Sequence, residues 1–109
     1  MIFDFQRLQD EQSEWSNYNF GYQPPHRGLL GIVEEVGELS HAHLKAEQGI
    51  RGTPEELAAE RDDAIGDIVI YLAEYCNRNC VNFQKAVEDA WNHTKQRDWK
   101  RYPRNGKTE

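Results

Sequence analysis

Basic charge, cysteine and long apolar runs are all scarce in this chain, and each scarcity removes a class of function. Its 109 residues carry 13 Lys and Arg against 19 Asp and Glu, a net charge of −6. That balance argues against a protein whose main task is gripping a nucleic-acid backbone, so no nucleic acid polymer is expected among its partners. The only two cysteines, Cys76 and Cys80, lie four apart. A structural zinc site takes four ligands in recognisable pairs, so both are expected to be reduced and structural. No apolar run reaches the length of a membrane span, and the opening MIFDFQRLQDEQ is charged too early for a signal peptide. The expected compartment is the cytoplasm, with no membrane partner. β-type alternation of useful length is also missing, which leaves helices.

Four of them can be traced. Phe3 to roughly Asn17 forms a first helix with Phe5, Leu8 and Trp15 as apolar anchors. The stretch NYNFGYQPPHR, Asn17 to Arg27, is a turn-rich connection broken by Gly21 and Pro24-Pro25, and rich in aromatics (Tyr18, Phe20, Tyr22). A second helix runs from about Gly28 to Gln48 and ends at Gly49. Thr53, Pro54 and Glu56 make a capping box with proline at the first helical position. They open a third helix of about 25 residues to Arg78, roughly 37 Å long. Asn82 caps a fourth, from about Phe83 to Trp99, with Ala86, Val87, Ala90 and Trp91 inward. The last residues, Tyr102 to Glu109, are expected to be irregular. Short connections between four helices predict an all-α four-helix bundle in one domain, 1–109, and a domain this small gains from oligomerisation.

The second helix carries the stretch that organises the rest, GIVEEVGELSHAHLK, Gly31 to Lys45. Glu34, Glu35 and Glu38 sit among Ile32, Val33, Val36, Leu39 and Leu44. Residues three apart share a helix face, so Glu35 and Glu38 point the same way. Carboxylates among core-forming residues are costly to desolvate unless a cation pairs with them. On the third helix, Glu60, Asp63, Asp67 and Glu74 fall in one narrow strip. Either strip alone reads equally well as a solvated acidic face. Gly66, beside Asp67, is a poor helix former at a free surface and suggests close approach by another helix. If the two helices pack together, Glu35, Glu38, Asp63 and Asp67 converge, and four carboxylates in one pocket require a cation. Mg²⁺ suits such oxygen ligands and is usually completed by substrate phosphates, with Mn²⁺ as an alternative ion.

GIVEEVGELSHAHLK followed by DDAIGDIVIYL resembles the paired acidic signatures of the MazG-like nucleotide pyrophosphohydrolases, all-α proteins of the dimeric-dUTPase superfamily. Glu34, Glu35 and Glu38 meet the first signature in full. In the second, Asp67 and the following IVIYL match, but the position of the family's glutamate holds Ala64. Asp63 shares a face with Asp67 and can substitute, with Glu60 one turn back. The resemblance covers roughly Leu29 to Asn77 and extends to the fourth helix and the basic segment QRDWKRYP.

The resemblance implies an enzyme that hydrolyses a nucleoside triphosphate to the monophosphate and pyrophosphate. It implies that Glu35, Glu38, Asp63 and Asp67 hold Mg²⁺, and that Glu34 positions water as a base or stabilises its neighbourhood. Lys45, Arg97, Lys100 and Arg101 are candidates for phosphate contacts, and the last three belong to a basic cluster near the chain's end. Tyr71 could contact sugar or base, and Trp15, Asn19 and Phe20 could shape a base pocket. Each of these has an ordinary alternative as a surface charge or packed aromatic. A homodimer or homotetramer is also implied. Two rival readings stand beside this one. Glu38 and His41 form a Glu-x-x-His unit of the kind found in di-iron carboxylate bundles, although His93 lacks a matching glutamate at Ala90. The other rival is a non-catalytic helical interaction module with acidic faces.

Overall fold

A computed structural model describes residues 3–108, and Glu109 of the expected irregular tail lies outside them. The helices are α1 (Phe5–Phe20), α2 (Arg27–Gln48), α3 (Pro54–Arg78) and α4 (Phe83–Thr94), with no strand among the described residues. No helix among those residues is long and apolar enough to cross a membrane.

Local chemistry sets most of the helix ends. The Asp4 carboxylate accepts from the Arg7 N–H at 2.8 Å to start α1, which runs three residues beyond Asn17 and stops at Gly21, φ 66°. Gly49 closes α2 in the left-handed region. The capping box of α3 forms as read from sequence, with Glu56 N–H to Thr53 Oγ1 and Thr53 N–H to Glu56 Oε1 both at 3.1 Å. Asn82 caps α4 through Lys85 N–H at 3.0 Å.

α4 is shorter than the sequence suggests, ending at Thr94 instead of Trp99. Asp98 diverts the backbone. Its N–H donates to Gly106 O at 2.7 Å and its carboxylate accepts from Arg101 N–H at 2.9 Å, closing the segment into a loop. Gly106, at φ 74°, is buried in that loop, where a Cβ would meet Arg97 Cβ at 2.9 Å. The tail has no regular helix, as expected, but it is folded on itself.

Two long helices form the frame. α2 and α3 pack as an antiparallel hairpin, with Ala42, Leu57 and Ala64 buried. α1 lies along the C-terminal half of α3, and α4 touches α1 and α3. The larger apolar cluster sits at that junction, where Ala73, Cys76 and Phe83 are packed by Phe5, Leu8 and Val87. The Phe5 and Phe83 rings stand 4.9 Å apart. Several expected anchors turn outward. Trp15 is 55% exposed, Trp91 is 60% exposed, and Ala86 and Ala90 are exposed too, leaving Phe83 and Val87 to face inward from α4. Cys76 is buried, while Cys80 is exposed at φ 56°.

Among the described residues α2 contacts α3 alone, so the four helices do not close into a bundle within one chain. The radius of gyration is 17.6 Å, against about 13 Å for a compact chain of this length. The exposed surface is 8281 Å², where a folded monomer of this mass exposes about 6,300 Å². Large apolar side chains are among those exposed, including Leu29, Val33, Val36 and Leu44 on one side of α2. Gly66 does not mark a helix approach inside the chain, because a Cβ there, as at Gly37, would meet nothing within 4 Å.

Candidate functional site

The glycines that bring helices together are Gly28 and Gly31, near the start of α2. A Cβ on Gly28 would lie 3.1 Å from Tyr75 N, and one on Gly31 would collide with the Tyr71 ring. This close approach turns the next inward position, Glu35, into the α2–α3 contact, where it is only 7% exposed. Its Oε2 is buried with no hydrogen-bond partner. An unpaired buried carboxylate oxygen is expensive and calls for a cation or a proton.

Glu34, Glu35 and Glu38 each offer one oxygen, and these lie within 4.8 Å of one another; among the described residues no other group of three His, Cys, Asp or Glu does so. Burial, then Glu38, Asp67 and Glu34, raise the Glu35 carboxyl from 4.5 to about 7. Asp67 is raised as well, by burial first and then by Asp63 and Glu38. Asp67 of α3 is thus near enough to Glu35 and Glu38 of α2 for their charges to act on one another, while the close-set trio lies on α2 alone. Glu34 stands closer to the centre than its helical angle indicated.

The acids divide between two cavities. One, of about 760 Å³, has Glu34, Glu35 and Asp67 at one end and Trp15, Phe20 and Tyr71 along its walls. The other, of about 550 Å³, is lined by Glu34, Glu38, His41, Glu60 and Asp63. Ala64, where the resemblance expects a glutamate, is buried, 1% exposed.

Of the remaining candidates, Tyr71 belongs to the larger cavity. Burial and the Glu34, Glu35, Asp67 and Glu38 charges push its hydroxyl pKa up. Trp15 and Phe20 form an edge-to-face pair, centroids 5.6 Å apart. Asn19 instead turns back on its own helix, donating to Trp15 O at 2.8 Å. Lys45 donates to Gln48 at 2.9 Å and lines neither cavity. Arg97, Lys100 and Arg101 lie beyond α4 and also line neither cavity. Arg101 stacks 5.3 Å over the Tyr102 ring.

The sequence reading missed the far end of the larger cavity, built from Gln12, Ser16, Gln23, Arg27 and Glu74. Its signal was the polar stripe Gln9, Gln12, Ser16 at helical spacing in α1, where all three are buried. Glu74 accepts from Ser16 Oγ at 2.9 Å, Gln12 Nε2 at 3.2 Å and Arg78 Nε at 3.2 Å. In comparison with known proteins, the chain matches no protein-family model and no curated protein, so the MazG-like resemblance rests on the acidic motifs themselves.

Proposed function

We propose that this chain is a Mg²⁺-dependent nucleoside triphosphate pyrophosphohydrolase of MazG-like type, a cytoplasmic enzyme of nucleotide housecleaning that converts an NTP or dNTP and water to the monophosphate and pyrophosphate. The observation that carries the reading is the orphaned, buried Glu35 oxygen within a three-carboxylate cluster, of which Glu34 and Glu35 line the 760 Å³ cavity and Glu38 the adjoining one. The donor set fits a hard divalent cation, since it is oxygen only and open on the cavity side.

Glu35 and Glu38, two of the three carboxylates whose oxygens lie within 4.8 Å of one another, would hold the ion, with Asp67 across the helix contact and Asp63 on the flank in place of the family's glutamate. When bound, Mg²⁺ would supply charge neutralisation for the phosphates and a lowered pKa for a bound water. Glu34 borders both cavities and is the group available to orient the attacking water and take its proton. The water oxygen bonds to the α-phosphorus as the bond from that phosphorus to the bridging oxygen breaks, and pyrophosphate leaves. Trp15, Phe20 and Tyr71 wall the space beside the carboxylates and would shield the nucleoside from water.

The active species in this reading is a homodimer or a pair of dimers. Its support is the roughly 2,000 Å² of surface beyond that of a compact monomer and the exposed apolar stripe Leu29, Val33, Val36 and Leu44. Lys45, Arg97, Lys100 and Arg101 remain the phosphate-binding candidates of that assembly.

The test is pyrophosphate release from a panel of canonical and modified (d)NTPs, with Mg²⁺, with Mn²⁺ and with chelator, for wild type and Glu38→Ala. Metal-dependent release that Glu38→Ala abolishes is the expected result. A folded, Mg²⁺-loaded protein that releases nothing from any nucleotide sinks the proposal.

A further inference from the structure

The polar end of the larger cavity has a one-sided hydrogen-bonding inventory. Each side-chain acceptor there already takes at least one donor. Both Glu74 oxygens take two donors each, from Ser16 and Arg78 and from Gln12 and Arg78. Gln12 Oε1 accepts from Asn77 Nδ2 at 2.8 Å, Ser16 Oγ from Arg78 at 2.9 Å, and Gln23 Oε1 from Arg27 at 2.8 Å. The orientation of the Gln12 amide is thereby fixed, since Asn77 offers a donor and Glu74 an acceptor.

Donors, in contrast, are left over. Gln12 Nε2 keeps its second hydrogen, Gln23 Nε2 keeps both, and the Arg27 guanidinium keeps all but one of its five. Gln12 is itself 6% exposed and Glu74 9%, so these two form a built floor, with half-buried Gln23 and exposed Arg27 at its rim. Arg27 precedes Glu34 by two turns of α2, about 10 Å at 1.5 Å per residue. That is about the span of a nucleoside from its 5′ phosphate to the far edge of its base. With the phosphates at the carboxylates, the base lies in the part of the cavity that Trp15 and Ile70 help to line, and its far edge meets the donors.

Resting on the proposed function, we infer that this cavity selects nucleotides whose base carries a keto group at the edge farthest from the sugar. These are the 4-keto pyrimidines (uracil, thymine) and the 6-keto purines (guanine, hypoxanthine and their oxidised forms). Cytosine and adenine present an amino group at that edge. Donor would face donor, and the half-buried Gln23 amide and buried Gln12 amide would lose a partner. Sites built to hydrogen-bond one partner reject its mismatched analogue strongly, so discrimination of about tenfold or more is expected.

Two pairs of nucleotides differ at this atom alone or nearly so, UTP with CTP and ITP with ATP. Each is measured by calorimetric titration in Mg²⁺ and by pyrophosphate release, on wild type and on the double variant Gln23→Glu/Arg27→Met. In wild type the keto member of both pairs binds at least about tenfold more tightly. In the double variant, which exchanges donors for an acceptor and a thioether, the ratio falls to near one or inverts. Because the ratio is taken within one protein, partial unfolding does not imitate the effect. Equal or reversed affinity in either wild-type pair overturns the inference, as does a ratio that the double variant leaves unchanged. Keto preference in binding without turnover upholds the inference and removes the hydrolase. Turnover without preference does the opposite, and failure to bind any of the four overturns both.

Discussion

The Tyr71 ring occupies the space that a side chain at Gly31 would need, so the two residues can be neighbours only because position 31 has no Cβ. This contact seats the phenol between α2 and the wall of the larger cavity. Gly31→Ala must push the ring aside, against a gain in helix propensity of about 1 kcal/mol. Overpacking of this kind costs about 1–3 kcal/mol, and the displaced ring enters the nucleotide space. The expected outcome is lower stability in urea and weaker nucleotide binding, with Mg²⁺ binding retained. Gly66→Ala, which meets nothing within 4 Å, is the control and gains about 0.5–1 kcal/mol. A Gly31→Ala protein as stable as wild type with unchanged nucleotide affinity contradicts this account.

Glu35 makes the metal-free protein sensitive to pH. Its carboxyl titrates near 7 in the fold against an ordinary 4.5, raised by burial, Glu38, Asp67 and Glu34. The folded state therefore holds a proton that the unfolded chain releases, and stability declines as pH rises from about 4.5 through about 7. Asp67 is shifted in the same direction. Urea unfolding in chelator at a series of pH values is expected to show this decline, and Glu35→Gln to flatten it. Mg²⁺ binds the deprotonated cluster, so its stabilising effect is larger at pH 8 than at pH 5. Wild-type stability that rises from pH 5 to pH 7 in chelator contradicts the assignment.

Arg78 holds α1 to α3. Its side chain is 15% exposed, and it pairs with Glu74 at 3.2 Å while donating to Ser16 Oγ at 2.9 Å and Gly21 O at 3.2 Å. Arg78→Met leaves Glu74 charged, buried and without its cation, a loss of about 3–5 kcal/mol. Glu74→Gln/Arg78→Met removes the stranded charge and is expected to be more stable than Arg78→Met alone. A double variant less stable than either single change would show that the ion pair is not the source of the cost.

Val33, 70% exposed, lies in the unpartnered apolar stripe of α2. In the proposed dimer this stripe is covered by a second copy, and Val33→Glu places a charge in the covered surface. Sedimentation equilibrium is expected to give twice the chain mass for wild type and the chain mass for Val33→Glu, with a loss of thermal stability. A wild-type protein that sediments as a monomer at micromolar concentration removes the dimer.

Helix ends were readable from sequence at several caps whose targets lie within four residues. Thr53 with Glu56, Gly49 behind Lys45, and Asn82 with Lys85 are of this kind. The pairing of Glu35 with Glu38 was readable for a related reason, since they lie within one turn of a single helix, whereas the place of Glu34 beside them was not. The inward face of α1 was not. Burying Gln9, Gln12 and Ser16 is favourable only because Val81, Phe83, Glu74, Asn77 and Arg78 supply hydrogen bonds from more than fifty residues away. Nor was the early stop of α4, which depends on Asp98 meeting Gly106 across a loop.

The sequence by itself determined the all-α class, most helix limits and the shared face of Glu35 and Glu38, because each arises from hydrogen bonds or helical spacing among near neighbours. Only the tertiary structure decided which glycines admit a second helix, which oxygen of Glu35 is stranded, and which hydrogen-bond donors remain free at the end of the cavity. Those depend on the distance and angle between segments far apart in the chain, and residue spacing alone carries no record of either.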